Sequence, residues 1–148
     1  MTAKNGKILV LNGPNLARLD IRDSQYYGDL NWSQLVELIT RGASDLSLEV
    51  DIRQSDDEAT LVGWLHEAAD KNLPVIINPA AFTHYSIAIH DAAEMVKAPI
   101  IEVHLSNPQA REEFRHTSVI SGVAKGTISG FGPNSYLLAL RAMKSLIS

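Results

Sequence analysis

The chain contains no cysteine. That excludes a disulfide framework, a thiolate zinc site and a cysteine nucleophile. No run approaches the ~20 apolar residues that span a bilayer. The opening Met-Thr-Ala-Lys-Asn-Gly-Lys lacks the apolar stretch of a secretory signal, so the cytoplasm is the expected compartment and no membrane partner is expected. Basic residues are not in excess either. The formal charge is −4, and the one basic-looking stretch, Arg111 and Arg115, is interleaved with Glu112 and Glu113. Neutralising phosphates needs clustered Lys and Arg, so no nucleic-acid partner is expected. No His or carboxylate spacing has the pattern of a first-shell metal site, and the expectation is no metal. Repeats, linkers and low-complexity segments are missing too, so residues 1–148 read as a single domain. A chain of 148 residues can bury roughly 70% of its unfolded surface, enough for one core without staples.

What is present is an alternation of short apolar runs and amphipathic stretches. Lys7 to Asn12 (Lys-Ile-Leu-Val-Leu-Asn) has the form of a parallel strand buried on both faces. Ser47–Arg53, Pro74–Asn78 and Pro99–His104 repeat it, and a fifth strand falls within Ser118–Ser129. Helix-like stretches separate them at Trp32–Ala43, Thr60–Ala69, Ile87–Met95 and Tyr136–Ile147. Strands alternating with helices of this length indicate an α/β fold of βαβ units around a parallel sheet. The stretch Gly13–Leu30 is longer than an ordinary strand-to-helix connection, and such segments often act as lids or binding loops. Ligands of open α/β sheets bind beyond the carboxyl ends of the strands. The residues to examine are therefore Asn12 and Asn15, Asn78, and Glu102, His104, Ser106 and Asn107.

Glu102 and His104 stand two apart on one strand, so they share a face. A carboxylate can orient an imidazole and stabilise its charged form, which makes an acid–base unit. The plain alternative is an exposed pair contributing under ~1 kcal/mol. Arg111 and Arg115 are four apart in an expected short helical segment and would share a face able to bind a carboxylate or hydroxyls. Pairing with Glu112 or Glu113 is the competing reading. His84 stands at a helix entrance that Thr83 or Ser86 could cap. His66 and His90 read as surface or packing residues. In the long loop, a cation such as Arg22 beside Tyr27 (or Tyr26) would favour the phenolate and make a base that acts on closure over substrate.

Nearly the whole chain is similar to one known family, in order and in spacing. Asn12-Gly-Pro-Asn-Leu16, then Arg22 and Tyr27-Gly28, resemble the opening signature of type II 3-dehydroquinate dehydratase. The likeness continues through Gln54-Ser55, Ile77-Asn78-Pro79, Thr83-His84 and Asp91-Ala92. The specific blocks are Ile101-Glu-Val-His-Leu-Ser-Asn107 and Ala110-Arg-Glu-Glu-Phe-Arg-His116, followed by Gly130-Phe-Gly132 and Tyr136-Leu-Leu-Ala-Leu140. The resemblance implies a flavodoxin-like five-stranded parallel sheet with helices on both faces, in a homo-oligomer, a dodecamer built from trimers. It implies trans elimination of water from 3-dehydroquinate to 3-dehydroshikimate through an enolate, with no cofactor. By the same resemblance Tyr27 is the base that takes the C2 proton, with Arg22 stabilising its phenolate. Asn15 holds a water at the enolate, an oxyanion-hole role, and His104, oriented by Glu102, protonates the departing hydroxyl. Asn78, Leu105 and Ser106 hold the substrate carboxylate, His84 and Arg115 its ring hydroxyls, and Asp91 reaches into a neighbouring subunit's site.

The chain departs from the family pattern mainly in the loop. Ala17-Arg-Leu-Asp-Ile-Arg-Asp-Ser24 stands where Asn-Leu-Leu-Gly-Thr-Arg-Glu-Pro is usual. Asp20 thus replaces a glycine and Ser24 a proline, which changes backbone freedom in the lid. Ala80 replaces a glycine after Asn78-Pro79, and Thr117 a histidine. Those changes motivate one alternative, a non-catalytic or regulatory paralogue binding the same ligand, though a binder has little need of both an acid and a base. An imine-forming dehydratase on a (β/α)₈ barrel needs ~250 residues. A receiver domain would need acidic residues where Asn12-Gly13-Pro14 stands. Whether the reaction serves biosynthesis through shikimate or breakdown of quinate is open at this level.

Overall fold

The computed structural model describes residues 7–148. The opening Met1–Gly6, on which the expectation of a cytoplasmic location partly rests, lies outside the described residues. Five parallel strands form one sheet: β1 (Ile8–Asn12), β2 (Val50–Gln54), β3 (Val75–Asn78), β4 (Ile100–His104) and β5 (Gly126–Ser129), in the order β2-β1-β3-β4-β5. That is the doubly wound, flavodoxin-like order. Helices α1 (Ser24–Tyr27), α2 (Trp32–Asp45), α3 (Glu58–Lys71), α4 (Ile87–Glu94) and α5 (Asn134–Ile147) connect them. None of these is long and apolar enough to cross a membrane.

Strand alternation divides the core in two. Ile8, Val10, Ile76, Ile101 and Val103 face α2 and α5, where Leu35, Ile39 and Ala43 meet Ala139, Leu140 and Met143. Leu9, Leu11, Val75, Ile77 and Ile100 face α3 and α4, against Leu61, Leu65, Ala68, Ile89 and Ala93. Each fully buried Leu or Ile contributes about 1.5–3 kcal/mol relative to an exposed one, so both faces must be covered for the sheet to persist. Helix ends are set locally. Asn31 and Gln34 form a reciprocal capping box on α2 (2.8 and 3.0 Å), and Ser86 caps α4 by accepting the Ile89 N–H at 3.1 Å.

The five expected strands and the four helices expected between them are present, with shifted ends. The second strand starts at Val50, not Ser47, because Ser47 is in the left-handed turn (φ 58) that closes α2. Two readings need correction. Gly13–Leu30 is not an open loop: it contains a 3₁₀ turn, Leu16–Ile21, then α1, and its Leu16 and Leu19 are buried in the core. Arg111 and Arg115 do not share one helical segment. Two separate 3₁₀ turns, Pro108–Ala110 and Glu113–Arg115, flank an extended Arg111.

The loops after β1 and β3 touch. Gly13 donates to the Asn78 carbonyl at 2.8 Å, and a Cβ at Gly13 would lie 2.5 Å from the Pro79 carbonyl oxygen. Ala80, next in line, sits at φ 53. That region costs an L residue about 1–2 kcal/mol, against about 0.4–1 kcal/mol for the extra unfolded-state freedom of glycine. Ala80→Gly should therefore raise stability by about 0.5–1 kcal/mol, a Tm increase of about 1–4 °C by calorimetry. An unchanged or lower Tm would show that the left-handed residue is relaxed.

Candidate active site

Where β1, β3 and β4 end, a narrow cleft opens. Leu16, Arg22 and Tyr27 of the long connection form one wall. Asn78, Ala80 and His84 form another, and His104, Leu105, Ser106, Arg111 and Arg115 complete it.

Tyr27 is the centre of the lid wall. Its hydroxyl oxygen accepts from the Arg22 guanidinium, which also lies over the ring at 3.7 Å from its centroid. Arg111 donates to the same oxygen at 2.7 Å, is tied to Ser106 Oγ at 3.2 Å, and stacks on Tyr26 at 4.3 Å. Two charge-assisted donors thus converge on one phenolic oxygen. Burial, with the charges of Arg111 and Arg115, pushes the Arg22 guanidinium below its ordinary value, against the pull of Tyr27. Glu112 accepts from Arg115 at 2.8 Å and offsets part of the charge of the three arginines lining the cleft; the remaining positive charge suits a carboxylate ligand.

On the opposite wall His104 Nε2 meets Glu102 Oε2 at 2.5 Å. Glu102 has no solvent exposure. Burial opposes its charge, but His104 and the Ser121 and Thr83 hydroxyls outweigh this and hold its carboxyl below the usual range. This is a buried pair, not the exposed one weighed from sequence. His84 Nδ1 lies 2.8 Å from the Thr117 carbonyl oxygen, which orients the ring at the rim.

Asn78 is held from behind. Its Nδ2 donates to the Tyr136 hydroxyl at 2.9 Å, and Tyr136 donates to Asn12 Oδ1 at 2.5 Å. Asn12 Nδ2 donates in turn to the carbonyls of Val10 and Arg53 at 3.2 and 3.0 Å. Burial pushes the Tyr136 phenol well above its ordinary value, so it stays a neutral donor. Asn78 Oδ1 accepts the Ala80 N–H at 3.1 Å, which fixes the amide at the cleft wall.

Of the residues singled out from sequence, Arg22, Tyr27, Asn78, His84, His104, Leu105, Ser106 and Arg115 line this one cleft. Glu102 lies behind His104. Asn15 and Asp91 do not line it. Asn15 is exposed in a left-handed conformation (φ 71), its N–H on Asp56 Oδ1 at 2.9 Å. Asp91 is exposed on α4, 3.0 Å from His90 Nδ1. Arg111, considered from sequence only as a face-mate of Arg115, is added to the site. Thr83, Ser118, Ser121 and Tyr136 are added as supports; only the neighbouring His84 pointed toward Thr83. Ser86, not Thr83, caps α4.

Fold and cleft together define a flavodoxin-like α/β protein with an arginine- and histidine-lined cleft at the carboxyl ends of its strands. Residues 6–144 match the family model of dehydroquinase class II. The chain is 55% identical to the 3-dehydroquinate dehydratase of Salinispora tropica over 134 residues, 90% of this chain and 94% of that one. It is 50% identical to the enzyme of the same name from Caldicellulosiruptor saccharolyticus, covering 95% and 98%. The type II dehydroquinase structure from Propionibacterium acnes superposes with a TM-score of 0.92 at 50% identity, covering 95% and 97%. The chain belongs to the class II dehydroquinase family, and its activity is that of a 3-dehydroquinate dehydratase, a lyase.

Tyr136→Phe should leave Asn12 Oδ1 and Asn78 Nδ2 without a partner, and unmet buried groups cost about 1–3 kcal/mol. A matching drop in unfolding free energy, with KM raised more than kcat falls, is the expected result. Unchanged stability would place water at those atoms.

Proposed function

We propose that the chain dehydrates 3-dehydroquinate to 3-dehydroshikimate by trans elimination, with Tyr27 as base and His104 as acid. The observation that carries this is one cleft with a phenolic oxygen held by two guanidiniums on one wall and a carboxylate-backed imidazole on the other. In this reading the Tyr27 phenolate takes the C2 proton beside the ketone. Charge moves onto the ketone oxygen as an enolate; Asn15, exposed and outside the cleft lining, holds a water there only once its side chain turns inward on substrate binding. His104 then delivers a proton to the C1 hydroxyl, which leaves as water while the enolate collapses to the conjugated enone. Asn78, Leu105 and Ser106 receive the substrate carboxylate, and His84 and Arg115 the ring hydroxyls. Arg111 joins Arg22 in stabilising the phenolate. No imine and no cofactor takes part.

The lid departures support turnover over a non-catalytic role. Asp20, in the family's glycine position, keeps a negative φ. Ser24 is the first residue of α1 after its Asp23 cap, a position where proline and serine are both at home. Neither change bends Arg22 or Tyr27 away. We further assign residues 1–148 to one catalytic domain, acting in the cytoplasm within a trimer-built dodecamer. Asp91, exposed and outside its own cleft, then serves a neighbouring subunit.

Tyr27→Phe should lower kcat by about 10²–10⁴-fold, followed by enone absorbance, while calorimetric affinity for a non-reacting substrate analogue stays within about tenfold. Wild-type turnover should continue in borohydride, which traps imines. A Tyr27→Phe enzyme retaining most of its rate would remove the base assignment.

A further inference from the structure

Glu102 is the one fully buried carboxylate among the described residues, and its surroundings hold more than His104. A carboxylate offers about four lone-pair positions, and four donors meet them here. Thr83 Oγ1 and His104 Nε2 both reach Oε2 at 2.5 Å. Ser121 Oγ reaches Oε1 at 2.6 Å, and Ser118 Oγ lies between the two oxygens at 3.1 and 3.0 Å. Ser118 Oγ already accepts the N–H groups of Ile120 and Ser121, both at 3.0 Å. Its one proton is therefore directed at Glu102 or at Thr83, 2.8 Å away.

Resting on the acid role proposed above for His104, we propose that Thr83 is a positioning residue for that acid. With Ser118 and Ser121 it saturates Glu102, so that the carboxylate stays unprotonated and fixes both the tautomer of His104 and how firmly it holds its proton. A carboxylate ringed by donors has no place for a proton of its own. Nε2 of His104 must then be the N–H partner of Glu102, which leaves Nδ1 as the nitrogen that gives its proton to the leaving hydroxyl. Thr83 shares Oε2 with the imidazole, so the two compete for the same negative charge. Among the three hydroxyls Thr83 is the most enclosed, at 1% exposed. Ser121 is exposed, and Thr127 backs it at 3.3 Å. The other charged or titratable groups of the cleft are Arg22 and Tyr27 on the lid, His84 after β3, and Arg111 and Arg115 after β4. None of them bonds Glu102, and all remain in place in the variants below.

The test is the titration of the His104 ring by NMR in Thr83→Val, Thr83→Ser and wild-type enzyme, beside the pH profile of kcat. Removing the competing hydroxyl leaves more of the Oε2 charge to the imidazolium. Thr83→Val should therefore move the His104 midpoint upward by roughly half to one pH unit. The high-pH fall of kcat should move with it, and Thr83→Ser should restore both. Ser121→Ala carries the test if Thr83→Val proves too unstable, with a shift in the same direction. A His104 midpoint that stays put in the folded variant overturns the proposal. A midpoint that moves while kcat does not upholds the collar around Glu102 and rejects His104 as the acid.

Discussion

An ionised carboxylate at zero exposure inside a parallel sheet is the constraint on which this site is built. Desolvating such a group costs several kcal/mol unless its lone pairs are met. The donors that meet those of Glu102 come from three places: its own strand, the 3₁₀ turn after β3, and the segment leading to β5. Those segments are separated in sequence. Ile120 and its neighbours dock the last of them on the core, and the hydrogen bonds to the buried charge fix how the three segments meet. The same contacts orient the two cleft histidines. His104 is held directly, and His84 follows because its turn is bound to the 117–119 segment by the Thr117 carbonyl and by the Val119 N–H on the Thr83 carbonyl at 2.7 Å.

The opposite wall uses the reverse charge. Arg22 and Arg111 converge on one phenolic oxygen, and Arg115 stands near them. Guanidiniums so placed attract an anionic ligand, and in the proposed mechanism the same charges also support the base. The proposed acid stands beside an anion and the proposed base beside cations, the separation expected if the two roles are divided between the walls. Asn78 lies between them, and the Asn12–Tyr136–Asn78 chain makes it part of the sheet rather than of a loop.

How much of this was legible in the sequence follows from the range of each interaction. Two-residue alternation along β4 put Glu102 and His104 on one face, and the strand-like runs located four strands, with the fifth placed only within Ser118–Ser129 because Gly126–Ser129 is short and half exposed. Arg22 and Tyr27 lie five apart, within one connection, and their pairing was within reach of local reasoning. Arg111 meets Tyr27 across 84 positions, and no local pattern encodes that. Thr83 and Ser121 each reach Glu102 across 19 positions, and a serine or threonine in a turn is too common to attract notice. The expected helix carrying Arg111 and Arg115 failed for a local reason. Asn107 and Pro108 start a short turn with an Asx-type bond at 3.2 Å, which stops at an extended Arg111. The long connection was recognised by its length. Its folding into a 3₁₀ turn and α1 was hidden, because Leu16 and Leu19 are too few to show a helical period.

The division of labour between the two walls is tested most directly by solvent deuterium exchange at C2 of 3-dehydroquinate, read by mass spectrometry in His104→Ala and Tyr27→Phe enzymes. If a tyrosine base forms an enolate that a separate histidine acid then resolves, His104→Ala should incorporate deuterium into unreacted substrate without dehydrating it. Tyr27→Phe should do neither. Exchange that survives in Tyr27→Phe and disappears in His104→Ala would contradict the assignment and exchange the two roles.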